Sequence, residues 1–305
     1  DLCYAINSSV TIRGGYPAYA KGKDVPSEPK KYETIFDGDD LYALFLAQKN
    51  AKSIGFYGIV INNPKNGILR IINDADSLIV QNSYFSNCGS AILESYNSKF
   101  ASVKNTIFSK NNSSIYIRDV FSAEIKGCSF VENQGYLILD QSYDNGSTLT
   151  IDSVSFTDNE GNLVMGGKVG VDIVNSNFYN TSGHVNNSSS SMSIRNCKIE
   201  KSEGIWLNPS TPLVDVDSCI FNENVTGLMY GLSSNLSFHN SIVKDNVNIP
   251  IFQINNGFID KSTFYNNHHG YTDATPMITV EDPQLLLQCY QYHQDIGLCF
   301  LCKVW

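Results

Sequence analysis

The 305-residue chain is only 17% charged and 42% hydrophobic, with 21 basic against 30 acidic side chains and a net charge of -9. That balance argues against phosphate backbones and anionic membranes as partners, since both reward Lys and Arg, so no nucleic-acid role is expected. No apolar run approaches bilayer length and no leader precedes Asp1, so no transmembrane segment is expected and the chain reads as a mature or excised fragment.

Residues 1–53 read as an N-terminal opening coil and cap. They hold VTI at 10–12, the turn Gly14-Gly15-Tyr16, a polar loop from Pro17 to Lys31, and then TIFDGDDLYALFLAQ. From 54 to 280 one phrase recurs: NSYFSN at 82–87, NTIFSKN at 105–111, GCSFVEN at 127–133 and SVSFTDN at 153–159. Its central apolar residue defines the anchors Ile61, Phe85, Phe108, Phe130, Phe156, Phe178, Ile199, Phe221, Val243 and Phe264, spaced by about 22 residues.

Five residues before each anchor stand Phe56, Val80, Val103, Ile125, Ile151, Ile173, Ile194, Val216, Phe238 and Ile259, all apolar, so this column points inward. Seven before, Ile54, Leu78, Ala101, Ala123, Leu149, Val171, Met192, Val214, Leu236 and Gly257 keep the same side, as the period of two in a strand requires. Two before, the inward residue is small, as at Ser83, Thr106, Cys128, Ser176, Cys197, Cys219, Ser241 and Ser262. The cysteines of this column read as small core residues, and parallel side chains on adjacent rungs do not easily reach disulfide geometry.

Between these positions the phase slips at Asn82, Asn105, Gly127, Ser153, Asn175, Asn196, Ser218 and Asn240, residue types that tolerate a left-handed bend. A second turn follows the anchor, at Asn111, Asn133, Asn159, Asn224, Asn246 and Asn267, and a third apolar strand comes after it, as in SIYIR and YLILD. Three short strands per coil, each stacked on its counterpart one coil away at the ~4.8 Å spacing of paired strands, make an all-β fold. The expectation is a right-handed single-stranded parallel β-helix of about ten coils, with handedness taken from the crossover preference.

The tail, 281–305, breaks the pattern and reads as a C-terminal cap. It also holds Cys289, His293, Cys299 and Cys302, whose thiolates and imidazole have the composition of a tetrahedral zinc site. Nine N-x-S/T sequons occur, at Asn7, Asn111, Asn112, Asn145, Asn180, Asn186, Asn187, Asn224 and Asn235. They matter if the source is eukaryotic and secretory, although chance accounts for most of them in so Asn-rich a chain.

The outward residues of the first strand are the place to look for chemistry, because successive coils hold them about 5 Å apart. Four before the anchor they read Lys104, Lys126, Asp152, Val174, Arg195, Asp217, His239 and Asp260. Six before, they read Ser102, Glu124, Thr150, Asp172, Ser193, Asp215 and Ser237. Asp172, Arg195, Asp215 and Asp217 therefore share one exposed patch. Such a patch is either a set of solvated pairs or, as in polysaccharide lyases of this architecture, a calcium site beside a base. His184, His268 and His269 fall in loops with surface roles as the default, and Trp206 and Tyr230 on the third strand either stack on a sugar or fill a groove.

GGYPA and TIFDGDD, separated by a charged loop, resemble the opening segment of β-helical surface proteins of gut Bacteroidetes. The F-x-x-N steps at Phe108, Phe130, Phe156, Phe221 and Phe264, with G-S-A-I at 89–92, are similar to the repeats of chlamydial polymorphic membrane proteins. The resemblance implies an adhesin, extracellular or at the cell surface. Two function classes stay open: a non-enzymatic module binding glycan or protein through exposed ladders, and a lyase or glycoside hydrolase acting on an acidic polysaccharide. No cofactor is expected, except calcium in the lyase case.

Overall fold

The structure is a computed structural model that describes residues 4–16, 28, 31–36, 45–47, 50–62, 71–89, 92–142, 146–187, 191–209, 213–225, 229–247, 252–267, 278–280 and 286–288. Each coil contributes one strand to each of three parallel sheets. The first sheet stacks Ser77–Gln81, Phe100–Lys104, Ser122–Lys126, Thr148–Asp152, Gly170–Val174, Ser191–Arg195 and Leu213–Asp217 in unbroken register. The second is built from three-residue strands centred on the anchors, such as Ser129–Val131 and Ser155–Thr157. The third holds the more ragged strands, among them Ser113–Arg118 and Tyr136–Asp140. Towards the end of the chain the first and third sheets join, because Met229–His239 and Phe252–Asp260 run continuously through the corner between them.

The second sheet carries eleven strands among the described residues. This corrects the count of about ten coils. The extra rung is Ile35–Phe36, which pairs with Val60 and Ile61, and Tyr4–Ile6 and Val10–Arg13 likewise extend the other two sheets. The period itself holds, since Phe36 stands 25 residues before Ile61, but the polar stretch from Pro17 to Lys31 separates Ile35–Phe36 from Val10–Arg13 and leaves no apolar residues five and seven before Phe36. No helix of the described residues is long and apolar enough to cross a membrane.

The corners explain why the chain coils. At the first bend Asn82 (φ 52°), Asn105 (48°), Ser153 (57°) and their counterparts up to Asn240 (50°) adopt the left-handed conformation, which Asn and Gly accept at least cost. At the second bend the left-handed residue lies two after the anchor and includes Lys110, Glu132, Asp158, Lys201 and Glu223. Here the stacked environment overrides local preference. Asn111, Asn133 and Asn159, one position later, point inward and are buried. Close approach of backbones also shapes the following turn: a Cβ on Gly161 would stand 2.6 Å from the Gly135 carbonyl oxygen.

Three inward ladders hold the wall. Phe85, Phe108, Phe130, Phe156 and Phe178 stack with ring centroids 5.3, 4.8, 5.0 and 4.6 Å apart and planes within 15° of parallel. Every anchor from Ile61 to Val243 is buried, as is the whole column five residues before it, from Phe56 to Ile259. In the second ladder the Asn133 backbone N–H donates to Asn159 Oδ1 at 2.9 Å, while Asn133 Nδ2 donates to the Phe108 carbonyl at 2.9 Å and to Asn159 Oδ1 at 3.0 Å. Asn224 and Asn246 repeat the pattern. These amides satisfy backbone groups that burial would otherwise orphan.

The third ladder is the small-residue column. The Ser176 hydroxyl donates to the Val174 carbonyl at 2.8 Å and accepts the Val154 N–H at 3.1 Å; Ser241 does the same for His239 and Cys219. Cys197 and Cys219 occupy that role with sulfur, their thiols donating to the Arg195 and Asp217 carbonyls at 3.3 Å each. Both are free thiols.

Candidate functional site

Register alone places the charged patch. Asp172, Ser193, Asp215 and Ser237 form one column on successive rungs, and Val174, Arg195, Asp217, His239 and Asp260 form the next. Because side chains alternate across a strand, both columns face out of the same sheet. All four predicted residues thus lie on one face.

Their contacts divide them. Arg195 Nη2 donates to both carboxylate oxygens of Asp172 at 2.9 Å. Asp217 Oδ1 accepts from Asn240 Nδ2 at 2.7 Å and from the Ser218 hydroxyl at 3.2 Å. The Asn240 bond, acting against desolvation and helped by Ser218, holds the Asp217 carboxyl below its ordinary range. Asp215 Oδ1 lies 2.9 Å from His239 Nε2. Each carboxylate therefore has its own partner, and among the described residues no three His, Cys, Asp or Glu side chains converge on a point where a metal ion would sit.

Ser237 and His239 stand on the next rung of the same two columns, placed there by the alternation that places the aspartates. Ser237 Oγ lies 3.1 Å from His239 Nε2. Ser, His and Asp invite comparison with a nucleophile relay, but here hydroxyl and carboxylate meet the same ring nitrogen. A relay needs them on opposite nitrogens, so this trio cannot pass a proton from serine to imidazole with the acid behind it. The Ser193 hydroxyl, between Asp172 and Asp215, is buried and finds no hydrogen-bond partner among the described residues.

The same face carries further pairs from rung to rung. Lys104 Nζ stands 2.8 Å from Glu124 and Lys126 Nζ 2.6 Å from Asp152. Asn175 Nδ2 donates to Asp152 at 2.9 Å and Asn196 Nδ2 to Asn175 Oδ1 at 2.6 Å. Lys126 first, then Asn175 and Ser153, bring the Asp152 carboxyl down to about 2. The bend asparagines thus bond the neighbouring rung as well as turning the chain, a role that only stacking reveals.

His184 is exposed. The proposed zinc ligands Cys289, His293, Cys299 and Cys302 lie outside the described residues, as do His268, His269 and the side chains of Trp206 and Tyr230. Of the sequons, Asn111 and Asn224 are 1% and 3% exposed inside the amide ladder, so neither can carry a glycan in the folded protein.

A family model described as a right handed beta helix region matches residues 142–269. The handedness in that description is the one expected from crossover preference, and the chain is a right-handed parallel β-helix. No curated protein and no solved structure matches the chain.

Proposed function

We propose that the chain is a non-enzymatic binding module, secreted or displayed at a cell surface, that takes a glycan or a partner protein on its exposed ladders. The observation that carries this reading is the pairing of outward polar groups: Lys104 with Glu124, Lys126 with Asp152 and Arg195 with Asp172 as ion pairs, and Asp215 with the His239 imidazole. A catalytic constellation needs like charges or charge and nucleophile held together against their own interest. Carboxylates each held by partners beside them or on adjoining rungs make a stiff, patterned surface instead. The likeness of the repeat phrases to bacterial adhesin repeats supports the same reading.

The rival, a lyase acting on an acidic polysaccharide, needs calcium held by Asp172, Asp215 or Asp217 and a base such as Arg195. A panel of acidic and neutral polysaccharides, scored for both binding and new unsaturated ends, separates the two. Retention without new ends is the expected result. Calcium-dependent heat in calorimetry of the wild type, lost in Asp215→Ala and accompanied by new chain ends, would reverse the assignment.

A further inference from the structure

Away from the charged patch, the second sheet presents an outward column in direct register over five rungs: Tyr179, Glu200, Asn222, Lys244 and Tyr265. The two tyrosines bracket it and are 42% and 43% exposed. Four rung intervals separate them, about 19 Å at the strand spacing. Ile242, 37% exposed, belongs to the adjoining column of the same face and adds apolar surface between them.

Charge is balanced along this strip. Lys198 Nζ stands 2.7 Å from Glu200, Lys201 Nζ 3.8 Å from Glu223 and Lys244 Nζ 3.9 Å from Asp245. Lys201 also sits over the Tyr179 ring at 5.7 Å. At the centre, Asn222 Nδ2 donates to Glu200 Oε1 at 3.2 Å and Glu223 Oε1 at 3.1 Å, which fixes the amide's orientation. Its Oδ1 is left as an acceptor with no hydrogen-bond partner among the described residues, on a residue only 7% exposed. That oxygen has no solvent contact, so an incoming O–H donor reaches it, and supplies the bond it lacks, only where neighbouring side chains move aside.

We infer that this column is a saccharide-binding strip, which takes an extended neutral oligosaccharide lying along the helix axis. This rests on the binding-module reading above and names its ligand class. The aromatic faces suit the C–H faces of pyranose rings, and the paired charges offer a second ionic group nothing to neutralise. Sugar hydroxyls supply the donor that Asn222 lacks. The equal spacing of rungs favours a ligand that is itself a linear repeat.

The test uses the whole chain with three soluble probes, cellohexaose, chitohexaose and mannohexaose, and an acidic hexagalacturonate as the charged counterpart. Isothermal titration should show binding of at least one neutral hexamer, and Tyr179→Ala and Tyr265→Ala should each weaken it by about tenfold. Tyr84→Ala, an exposed tyrosine outside the strip, should leave it unchanged. In the wild type, ring resonances of Tyr179 and Tyr265 should shift on titration, a readout that does not depend on variants folding. Failure of all three neutral hexamers to bind overturns the inference, as does preference for the acidic one. Binding that survives both tyrosine variants without ring shifts overturns the placement while leaving the module reading intact, since that reading is judged by its own panel.

Discussion

The wall of this solenoid stacks side chains at the same rung spacing on both sides, like on like inside and opposite charges outside, with opposite energetic outcomes. Inside, Phe85 to Phe178 stack nearly parallel and fully buried, none more than 2% exposed. Outside, on the adjoining sheet of the same coils, Lys104–Glu124, Lys126–Asp152 and Arg195–Asp172 pair in water. A buried ring has nowhere else to go, and removing it leaves a cavity that parallel rungs cannot close without breaking register. An exposed ion pair exchanges one set of partners for water and counterions at little cost. Repetition is a property of the backbone; what each repeated contact contributes depends on which side of the wall it stands.

The largest effect expected is from Phe156→Ala, in the middle of the stack between Phe130 and Phe178. It should cost about 3 to 5 kcal/mol, read as a lower denaturant midpoint at unchanged slope. An unchanged midpoint would break the comparison at its strongest point.

Next comes the amide ladder, where the inside is polar yet still intolerant. Asn133→Ala strips the Phe108 carbonyl and the Asn111 N–H of partners and should cost about 2 to 3 kcal/mol. Asn133→Ser should recover part of that loss, because Ser202 already accepts the Thr181 N–H at 3.3 Å in the same column. A serine variant no better than alanine would mean that volume, not hydrogen bonding, sets the requirement.

A buried acid sharpens the contrast further. Asp140 is 1% exposed; its Oδ1 accepts the Ser142 N–H at 2.8 Å while Oδ2 has no partner among the described residues. Asn73 stands in the same inward column, and its Oδ1 accepts the N–H two residues on. Its Nδ2 donates to the Ala75 carbonyl and to the Ser95 and Ser98 hydroxyls. Burial raises the Asp140 carboxyl above its ordinary range. The folded state therefore holds that proton more tightly than the unfolded chain does. This contribution is fully present below the unfolded pKa and is lost as pH rises through the folded one. Asp140→Asn should raise stability at neutral pH by about 1 kcal/mol, with the gap to wild type closing on acidification. Denaturation midpoints measured across the acid range check it, and a gap that widened towards low pH would reverse the sign.

The first sheet, the anchors and the first bend were legible in the sequence because each is a column of like residues at a fixed offset. The second bend was legible only in part. Asn at three past the anchor looks like a turn residue in any one coil, and only the stack shows it inside, with the strained conformation passed to Lys110 or Glu132. Asp140 is not legible in the sequence as a buried acid, because it ends a strand of the third sheet, where coil lengths vary. The patch was found by alternation, but its wiring was not. Arg195 pairs in register with Asp217, yet its guanidinium reaches diagonally back to Asp172. A long side chain has several carboxylates within reach, and the choice among them is one of geometry rather than of sequence.

The smallest effect expected is on that outer wiring. Arg195 and Asp172 are half and more than a third exposed at their side chains, so water competes for both and their mutual attraction is screened. Arg195→Ala should shift stability by about 0.5 kcal/mol or less, a shift that shrinks further as salt is added. The register that brings the two together is set by Ile173 and Ile194, buried on the opposite side of the same strands, so the charge pair decorates a wall that stands without it. Urea midpoints of wild type and Arg195→Ala at low and high salt measure this directly. A loss of several kcal/mol, insensitive to salt, would show that the outer ladder supports the wall as the inner one does.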